Sequence, residues 1–314
     1  MVRGSVLIVS RNTRDLTLAA VRSVLDSEPT GAWEVIVTDN GSTDGSVEAV
    51  RGLGGPVTVL EAGRNLGFAA ANNVAAREAQ ADYLILLNSD ARVDRKILAE
   101  AVEWMDAHPE VGVLGAQLLN EDGSRQNSIA TEPSLATELL NKSLLRRLCP
   151  DRFPGKEQVW TEPTVVDSVI GAFMVVPRRL WEQLGGMDER FFLFLEETDF
   201  CRRVRQAGFR VVHHPGLKVW HRQGGSAGAV HVPARIEYWR SRYVYAARHF
   251  SPWARWLLGL GLVVRLTLDT VLQGLAVLLS LGLWHRARAK LVLDGALMWW
   301  HLRGCPDSMG LPRG

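Results

Sequence analysis

Glu34-Val35-Ile36-Val37-Thr38-Asp39-Asn40-Gly41-Ser42-Thr43-Asp44 joins a β-branched run to a polar turn, with the carboxylate of Asp39 standing at the carboxyl end of a strand. Ligands of open parallel sheets bind outside the strand carboxyl ends, so Asp39 is in position to accept a hydrogen bond from a base or a ribose. Ser42 or Thr43 also suits the cap of a following helix over 44–50, which accounts for the hydroxyls but not for Asp39. On either side the alternation repeats. Strand-like runs at 5–9, 57–60 and 83–87 are separated by helical patterns at 15–25, 66–79 and 95–107. This βα rhythm predicts an α/β protein whose parallel sheet is a Rossmann-like nucleotide-binding half.

Beyond residue 107 the pattern loosens. It offers a Glu121-Asp122-Gly123-Ser124 turn, an irregular stretch around 149–163, one strand over 165–176 and strand-like pieces at 210–212 and 217–219. This half is expected to build the acceptor side. Near Val232-Pro233 the composition shifts, dividing the chain into a catalytic domain, 1–232, and a tail, 233–314. A single core stops growing near ~250–300 residues, in keeping with one domain and an appendage.

The net charge of +2 hides an asymmetry: from Arg235 onward eleven Lys/Arg face four Asp/Glu, so the tail carries +7 and the rest −5. Six of the eleven Trp lie in the tail. A basic, Trp-rich segment behind an acidic body suits an anionic membrane surface and argues against nucleic acid as partner. The stretch 256–284 is long enough to span a bilayer, but Arg265, Asp269 and Gln273 recur every four residues as a polar stripe, and Arg265 can pair with Asp269. Attachment in the membrane plane is the expectation; a full span and a helical hairpin packed on the catalytic domain are the other geometries. Cys149, Cys201 and Cys305 are odd in number and widely spaced, as ordinary thiols of a reducing compartment are. The apolar run at 5–9 is too short for a signal peptide.

Four further clusters carry chemistry. Arg64-Asn65-Leu66-Gly67-Phe68-Ala69-Ala70-Ala71-Asn72-Asn73 offers small residues and amide side chains, suited equally to a ligand and to helix-on-sheet packing. Asn88-Ser89-Asp90 brings a carboxylate to the same sheet edge as Asp39, a position for Mg²⁺ or Mn²⁺ that would neutralise a departing diphosphate. Phe191-Phe192-Leu193-Phe194-Leu195 precedes Glu196, Glu197 and Asp199, and apolar walls that raise carboxyl pKa values suit a general base. On a helix starting near Glu196, Asp199 can pair with Arg202 or Arg203. Finally His221 offers a second metal ligand, and Gly224 to Gly228 a mobile lid, while His213 and His214 read as structural. Ser10-Arg11-Asn12-Thr13-Arg14 has no glycine, which excludes a dinucleotide-dependent dehydrogenase.

Taken in order, Val6 to Ser10, Asp39 to Asp44, Asn65 to Phe68, Asn88 to Asp90, Gly171-Ala172, Glu196 to Asp199 and His221 resemble family 2 glycosyltransferases, and within them the bacterial rhamnosyltransferase-like branch. The resemblance covers roughly residues 4 to 230. It implies a GT-A fold with a mixed central sheet, a C-terminal amphipathic helical tail, inversion at the anomeric carbon, a nucleotide diphosphate sugar donor and Mg²⁺ or Mn²⁺. It further implies that Asp39 contacts the base, with Ser10, Asn12, Arg64, Asn65, Gly67, Asn72 and Asn88 around the nucleotide sugar. Asp90 and His221 would hold the metal, and Glu197 would be the general base. Gly171, Ala172, Glu196, Asp199 and Arg202 would shape the acceptor side. Two departures stand out: the metal motif begins with Asn88 instead of Asp, and the base position holds Glu instead of Asp, leaving Glu196 or Glu197 open by one residue. The resemblance points to dTDP-rhamnose as donor, and the tail to a polyprenyl-diphosphate-linked acceptor at the cytoplasmic face of the cell membrane, with the enzyme peripheral or monotopic on the inner leaflet. A non-catalytic glycan-binding subunit of a membrane assembly would be expected to have a broken acid set, whereas Asp39, Asp90 and Glu197 are all present.

Overall fold

The computed structural model describes residues 2–29, 31–150, 152–153, 158–222 and 231–313. The first half follows the expected alternation: β1 (Gly4–Ser10), α1 (Arg14–Leu25), β2 (Trp33–Asp39), α2 (Ser46–Arg51), β3 (Val57–Glu61), α3 (Phe68–Glu78), β4 (Tyr83–Leu87), β5 (Ala91–Arg92) and α4 (Ile97–Ala107). There follow β6 (Val111–Leu119), β7 (Ile129–Ala130), α5 (Leu135–Leu139), α6 (Lys142–Leu148), β8 (Thr164–Val165), β9 (Ser168–Val169), β10 (Phe173–Pro177), α7 (Arg178–Gln183), α8 (Glu196–Gln206) and β11 (Arg210–His221). Helices α9 (His231–His249), α10 (Pro252–Leu279) and α11 (His285–Leu302) complete the described chain.

The described residues form a nine-stranded mixed sheet in the order β3-β2-β1-β4-β10-β6-β11-β5, with β8 also on β11. β3, β2, β1 and β4 pair in parallel, and the last three are buried on both faces. Alternate residues point to opposite faces. Val6, Ile8, Val35, Val37, Ile85 and Leu87 enter one core with α1 and α4, whereas Leu7, Ile36, Leu84 and Leu86 enter a second with α3 and α8. Strands buried on both faces read as continuous apolar runs, which is what made them legible.

The second half differs from the reading in three places. β6 carries no expectation at all, yet every one of its residues is buried. Glycines interrupt its apolar run because the sheet there is crowded: a Cβ on Gly112 would lie 2.6 Å from Leu180 and Val204, and one on Gly115 2.5 Å from Val169. The single strand expected at 165–176 is three strands, because the chain changes partner twice. β8 pairs with β11, β9 pairs with β7 in a separate two-stranded sheet, and β10 runs antiparallel between β4 and β6. Conversely, the pieces at 210–212 and 217–219 are one strand, parallel to β6, with a register shift between His214 and Lys218.

On β11, His213 is fully buried and neither ring nitrogen has a hydrogen-bond partner among the described residues. Burial, aided by the neighbouring His214, pulls its imidazole down to about 4 from 6.5. The folded state therefore binds fewer protons than the unfolded chain between those values. Stability from this group is complete above about pH 6.5 and declines as pH falls towards 4, by about 3 kcal/mol in all. Urea midpoints at pH 7.5 and 5 are expected to differ less in His213→Leu than in the wild type.

The chain divides into two compact units: among the described residues, 2–132 with 158–222, and Pro133–Phe153 with 231–313. In the second, Ile236, Trp239, Ala246, Leu258, Leu262, Leu266, Leu297 and Trp300 form the core. The buried Glu237 carboxylate receives Arg240 and Arg313, and the Glu138 carboxylate receives Arg242. Ala254, Leu258, Leu262 and Leu266 place one stripe of α10 inside. A second stripe, Trp253, Trp256, Leu260, Val264, Leu268, Val271, Leu275 and Leu278, is exposed. Asp269 pairs with Lys290 of α11 at 3.5 Å, which corrects the expected Arg265 pairing, while Arg265 itself is exposed.

Candidate active site

The carboxyl edge of the sheet is built from interlocked loops. Asp39, at the end of β2, is 4% exposed, and its Oδ2 accepts the backbone N–H groups of Gly41 and Ser42 at 3.0 and 2.9 Å. Its Oδ1 is buried with no hydrogen-bond partner among the described residues. An orphaned buried carboxylate oxygen costs about 1–3 kcal/mol or more unless a ligand supplies the donor. Ser42 and Thr43 do not cap α2. Ser42 Oγ accepts the N–H of Asn12, and Asn12 Oδ1 accepts the N–H of Thr43, so Asn12, at φ 51°, clamps the loop after β1 to the loop after β2. Asp44 serves both helices, accepting N–H groups of Arg14 and Ser46. Ser10 is buried in a hydroxyl cluster with Thr13 and Thr17, and Thr13 donates to Ser89.

Asn40 reaches across to Gly67, its Nδ2 donating to the Gly67 carbonyl at 3.1 Å. Gly41 lies against Arg64, where a Cβ would meet the Arg64 backbone at 3.1 Å. Asn65 Oδ1 accepts the Gly67 N–H, and Gly67 itself has φ +82° with its Cα so near the Phe192 carbonyl that a Cβ would lie 2.3 Å away. Only glycine meets both demands. Ala69, Ala71 and Ala75 are fully buried on the sheet, so the small-residue face of α3 is packing. The Asn72 amide donates back to the Phe68 carbonyl, while Asn73 holds both the N–H and the carbonyl of Met187.

Asp90 and His221 meet because β5 pairs with the end of β11, with His221 opposite Ala91. His221 Nε2 lies 3.3 Å from Asp90 Oδ1, and Arg222 N–H donates to the Asp90 carbonyl. The Asn88 N–H donates to the Ala172 carbonyl, which fastens Gly171-Ala172 to this same end of β4. A carboxylate oxygen beside an imidazole nitrogen is a donor set for Mn²⁺ or Mg²⁺. No group of three or more His, Cys, Asp or Glu able to hold a metal occurs among the described residues, so any ion at this pair needs further oxygens from a ligand.

The aromatic run turns sharply before α8: Phe194 and Leu195 have φ of 73° and 67°, conformations that cost non-glycine residues energy and are held by the surrounding structure. They deliver Glu196 and Glu197 to the helix start. Glu197 is half-buried, and Gly171 lies against it, a Cβ there being 3.5 Å from Glu197 Cβ and 3.7 Å from Phe68. Because Gly171-Ala172 is tied to Asn88, Glu197 stands at the sheet edge that carries Asp39 and Asp90. Glu196 is only 4% exposed. Burial pushes both carboxyls up, Glu196 furthest, where the neighbouring Glu197 charge adds to it.

Asp199 is fully buried and offers no surface to an acceptor; its Oδ2 accepts Arg203 Nε at 2.8 Å, and Arg203 also donates to the Leu184 and Gly186 carbonyls. Asp199→Ala, which leaves Arg203 buried without this carboxylate, is expected to destabilise the fold by about 3–5 kcal/mol, read from urea midpoints. Arg202 is engaged with Glu132, which also receives Arg205. The lid expected at Gly224 to Gly228 lies outside the described residues. Residues that the reading did not single out include Gln126 and Glu132; Asn40 and Asn73 stood within quoted motifs without being assigned a role of their own. Gln126 had no sequence signal, since one amide after a turn is common.

A sequence model of the family described as "Glycosyl transferase family 2" matches residues 5–181. The chain is 28% identical over 278 residues to the N-acetylglucosaminyl-diphospho-decaprenol L-rhamnosyltransferase of Mycobacterium tuberculosis, covering 82% of this chain and 88% of that protein. It is 26% identical over 163 residues to Rhamnosyltransferase WbbL of Escherichia coli, covering 49% and 60%. Among solved structures it is similar in fold to the mannosyltransferase PcManGT from Pyrobaculum calidifontis in complex with GDP-Man and Mn²⁺, with TM-score 0.58, 20% identity and coverage of 97% and 87%. GalNAc-T7 with UDP, GalNAc and Mn²⁺ gives TM-score 0.56 at 20% identity, covering 79% and 50%.

Proposed function

The chain belongs to glycosyl transferase family 2, and on that premise we propose that it is an inverting, metal-dependent transferase that passes rhamnose from dTDP-rhamnose to a polyprenyl-diphosphate-linked glycan. Its sheet is that of the GT-A fold. The observation that carries the reading is the gathering of Asp39, the Asp90–His221 pair and Glu197 at one sheet edge. The rhamnosyl and lipid-linked parts rest on the relatives' activities.

Asp39 Oδ1 accepts a hydrogen from the base or ribose of the donor, which relieves its orphaned state. Asp90 and His221 would hold Mg²⁺ or Mn²⁺, and a divalent ion there would supply neutralisation of the charge on the departing diphosphate. Glu197 removes the proton of the acceptor hydroxyl, and the burial that raises its pKa makes it the stronger base. The hydroxyl then attacks the anomeric carbon from the side opposite the leaving group. The anomeric configuration of the product, read from its one-bond C1–H1 NMR coupling, is expected to be inverted relative to the donor; a retained configuration would refute the mechanism.

Docking on the inner leaflet is the reading of the tail. Pro252–Leu279 is, among the described residues, the one helix long and apolar enough to cross a membrane by length and composition. At ~1.5 Å per residue it is about 42 Å long, beyond the ~30 Å hydrocarbon core. Its exposed apolar stripe runs the full length, and the exposed Arg286, Arg288 and Lys290 stand at the start of α11, as lying in the plane of an anionic surface requires. The full chain is expected to float with phosphatidylglycerol-containing vesicles and to remain in the dense fraction when Leu268 and Leu275 are both changed to Glu. Equal flotation of the two proteins would count against attachment through this stripe.

A further inference from the structure

The turn Glu121-Asp122-Gly123-Ser124 is a built feature with no part in the chemistry so far. Asp122 Oδ1 accepts the N–H and hydroxyl of Ser124, Gly123 takes φ +79°, and Asn120 closes the loop on Ser124. It turns the chain back beside β6, with Leu119 bridged to Arg125 and the Gln126 N–H donating to the Leu118 carbonyl. The turn thereby presents Gln126 to the end of β11.

Gln126 holds His221 twice. Its Nε2 donates to the His221 carbonyl at 2.5 Å and to Asn120 Oδ1 at 2.6 Å. Both partners are acceptors only, so this end of the amide is the NH₂ group and the other end is the oxygen. That oxygen, Oε1, lies 3.0 Å from His221 Nδ1. An acceptor at that distance demands a proton on Nδ1, and a neutral imidazole with Nδ1–H has its lone pair on Nε2. Nε2 is the atom that faces Asp90 Oδ1.

We infer that Gln126 is a positioning residue that fixes His221 in the Nδ1–H tautomer, aims its Nε2 lone pair at Asp90 and so prepares the pair for a divalent cation. The inference rests on the metal reading of Asp90 and His221. Partners on the far nitrogen of a ligating histidine set its tautomer and ring orientation, and their loss lowers metal affinity about 10- to 100-fold. The second bond, to the His221 carbonyl, fixes the backbone from which the ring projects.

Two measurements test it. With Mg²⁺ and dTDP bound to the wild type, the ¹⁵N shifts of the His221 ring are expected to report a proton on Nδ1 and none on Nε2; a proton on Nε2 would overturn the inference without any variant. Mn²⁺ titrations followed by electron paramagnetic resonance, with dTDP present, are expected to give Gln126→Leu a dissociation constant about 10- to 100-fold above wild type. Gln126→Glu keeps an acceptor for Nδ1–H and is expected to recover most of that loss, while metal-free dTDP binding stays unchanged in both. Wild-type Mn²⁺ binding that Gln126→Leu leaves intact overturns this inference alone. A wild type that binds no Mn²⁺ overturns the metal reading and this inference with it.

Discussion

Glu197→Gln is expected to lower kcat for sugar transfer by about 10²- to 10⁴-fold, the contribution of a positioned general base, while dTDP affinity stays at the wild-type value. The amide fills the same space beside Gly171 but cannot take a proton. Glu196→Gln, at a carboxyl that is almost fully buried, is expected to leave kcat within about tenfold, far short of a base deletion. If Glu196→Gln carries the large loss instead, the base is one residue earlier. The pH profile gives a second reading. A base whose pKa burial has raised loses activity as pH falls through a value above the ordinary carboxylate range, and that acid limb should vanish in Glu197→Gln.

The same burial sets the sign of a stability effect. A carboxyl with a folded pKa above its unfolded one stabilises the fold at low pH and loses that contribution as pH rises through the folded pKa. Above its folded pKa the ionised Glu197 therefore opposes folding, and the neutral Gln is expected to raise the thermal midpoint there while removing activity. An unchanged or lowered midpoint would indicate that Glu197 is better solvated than its surroundings imply.

Metal loss should be the other large effect. Treatment with EDTA is expected to reduce transfer to background, with Mn²⁺ or Mg²⁺ restoring it. Asp90→Ala is expected to lower kcat by about 10²- to 10³-fold at saturating metal, comparable to removing a charge-stabilising group from a transition state. His221→Ala should show its loss first in metal affinity, since the imidazole is held by Gln126 and paired with Asp90, and no group of three or more metal-ligating side chains occurs among the described residues. Full activity in EDTA would remove the metal from the account.

The parallel half of the sheet was legible because β1, β2 and β4 are buried on both faces and carry unbroken apolar runs. β6 was not, because Gly112 and Gly115 are there to let neighbours in, and such packing is invisible in one sequence. The division of 165–176 into three strands depends on which partner each piece finds, a long-range matter. At the site, the sequence put Asp39, Asp90 and Glu197 on one edge through strand ends and a helix start. It offered Asp199 either Arg202 or Arg203 without choosing between them, and it could not say that Ser10 would be sealed in a hydroxyl cluster or that Asn72 would bond to its own helix. Each of these side chains is of the right type for a ligand but satisfied within the fold. Gln126 was hidden for the opposite reason: its role exists only where a turn brings it beside β11.

The most direct test is release of nucleoside diphosphate from a panel of nucleotide sugars, with a lipid-linked acceptor, by wild type and Glu197→Gln, each with Mn²⁺ or EDTA. Release from dTDP-rhamnose that depends on the acceptor, and is lost in EDTA and in the variant, is the predicted result. Donor binding with no release under any of these conditions would contradict the assignment of transferase chemistry to this site.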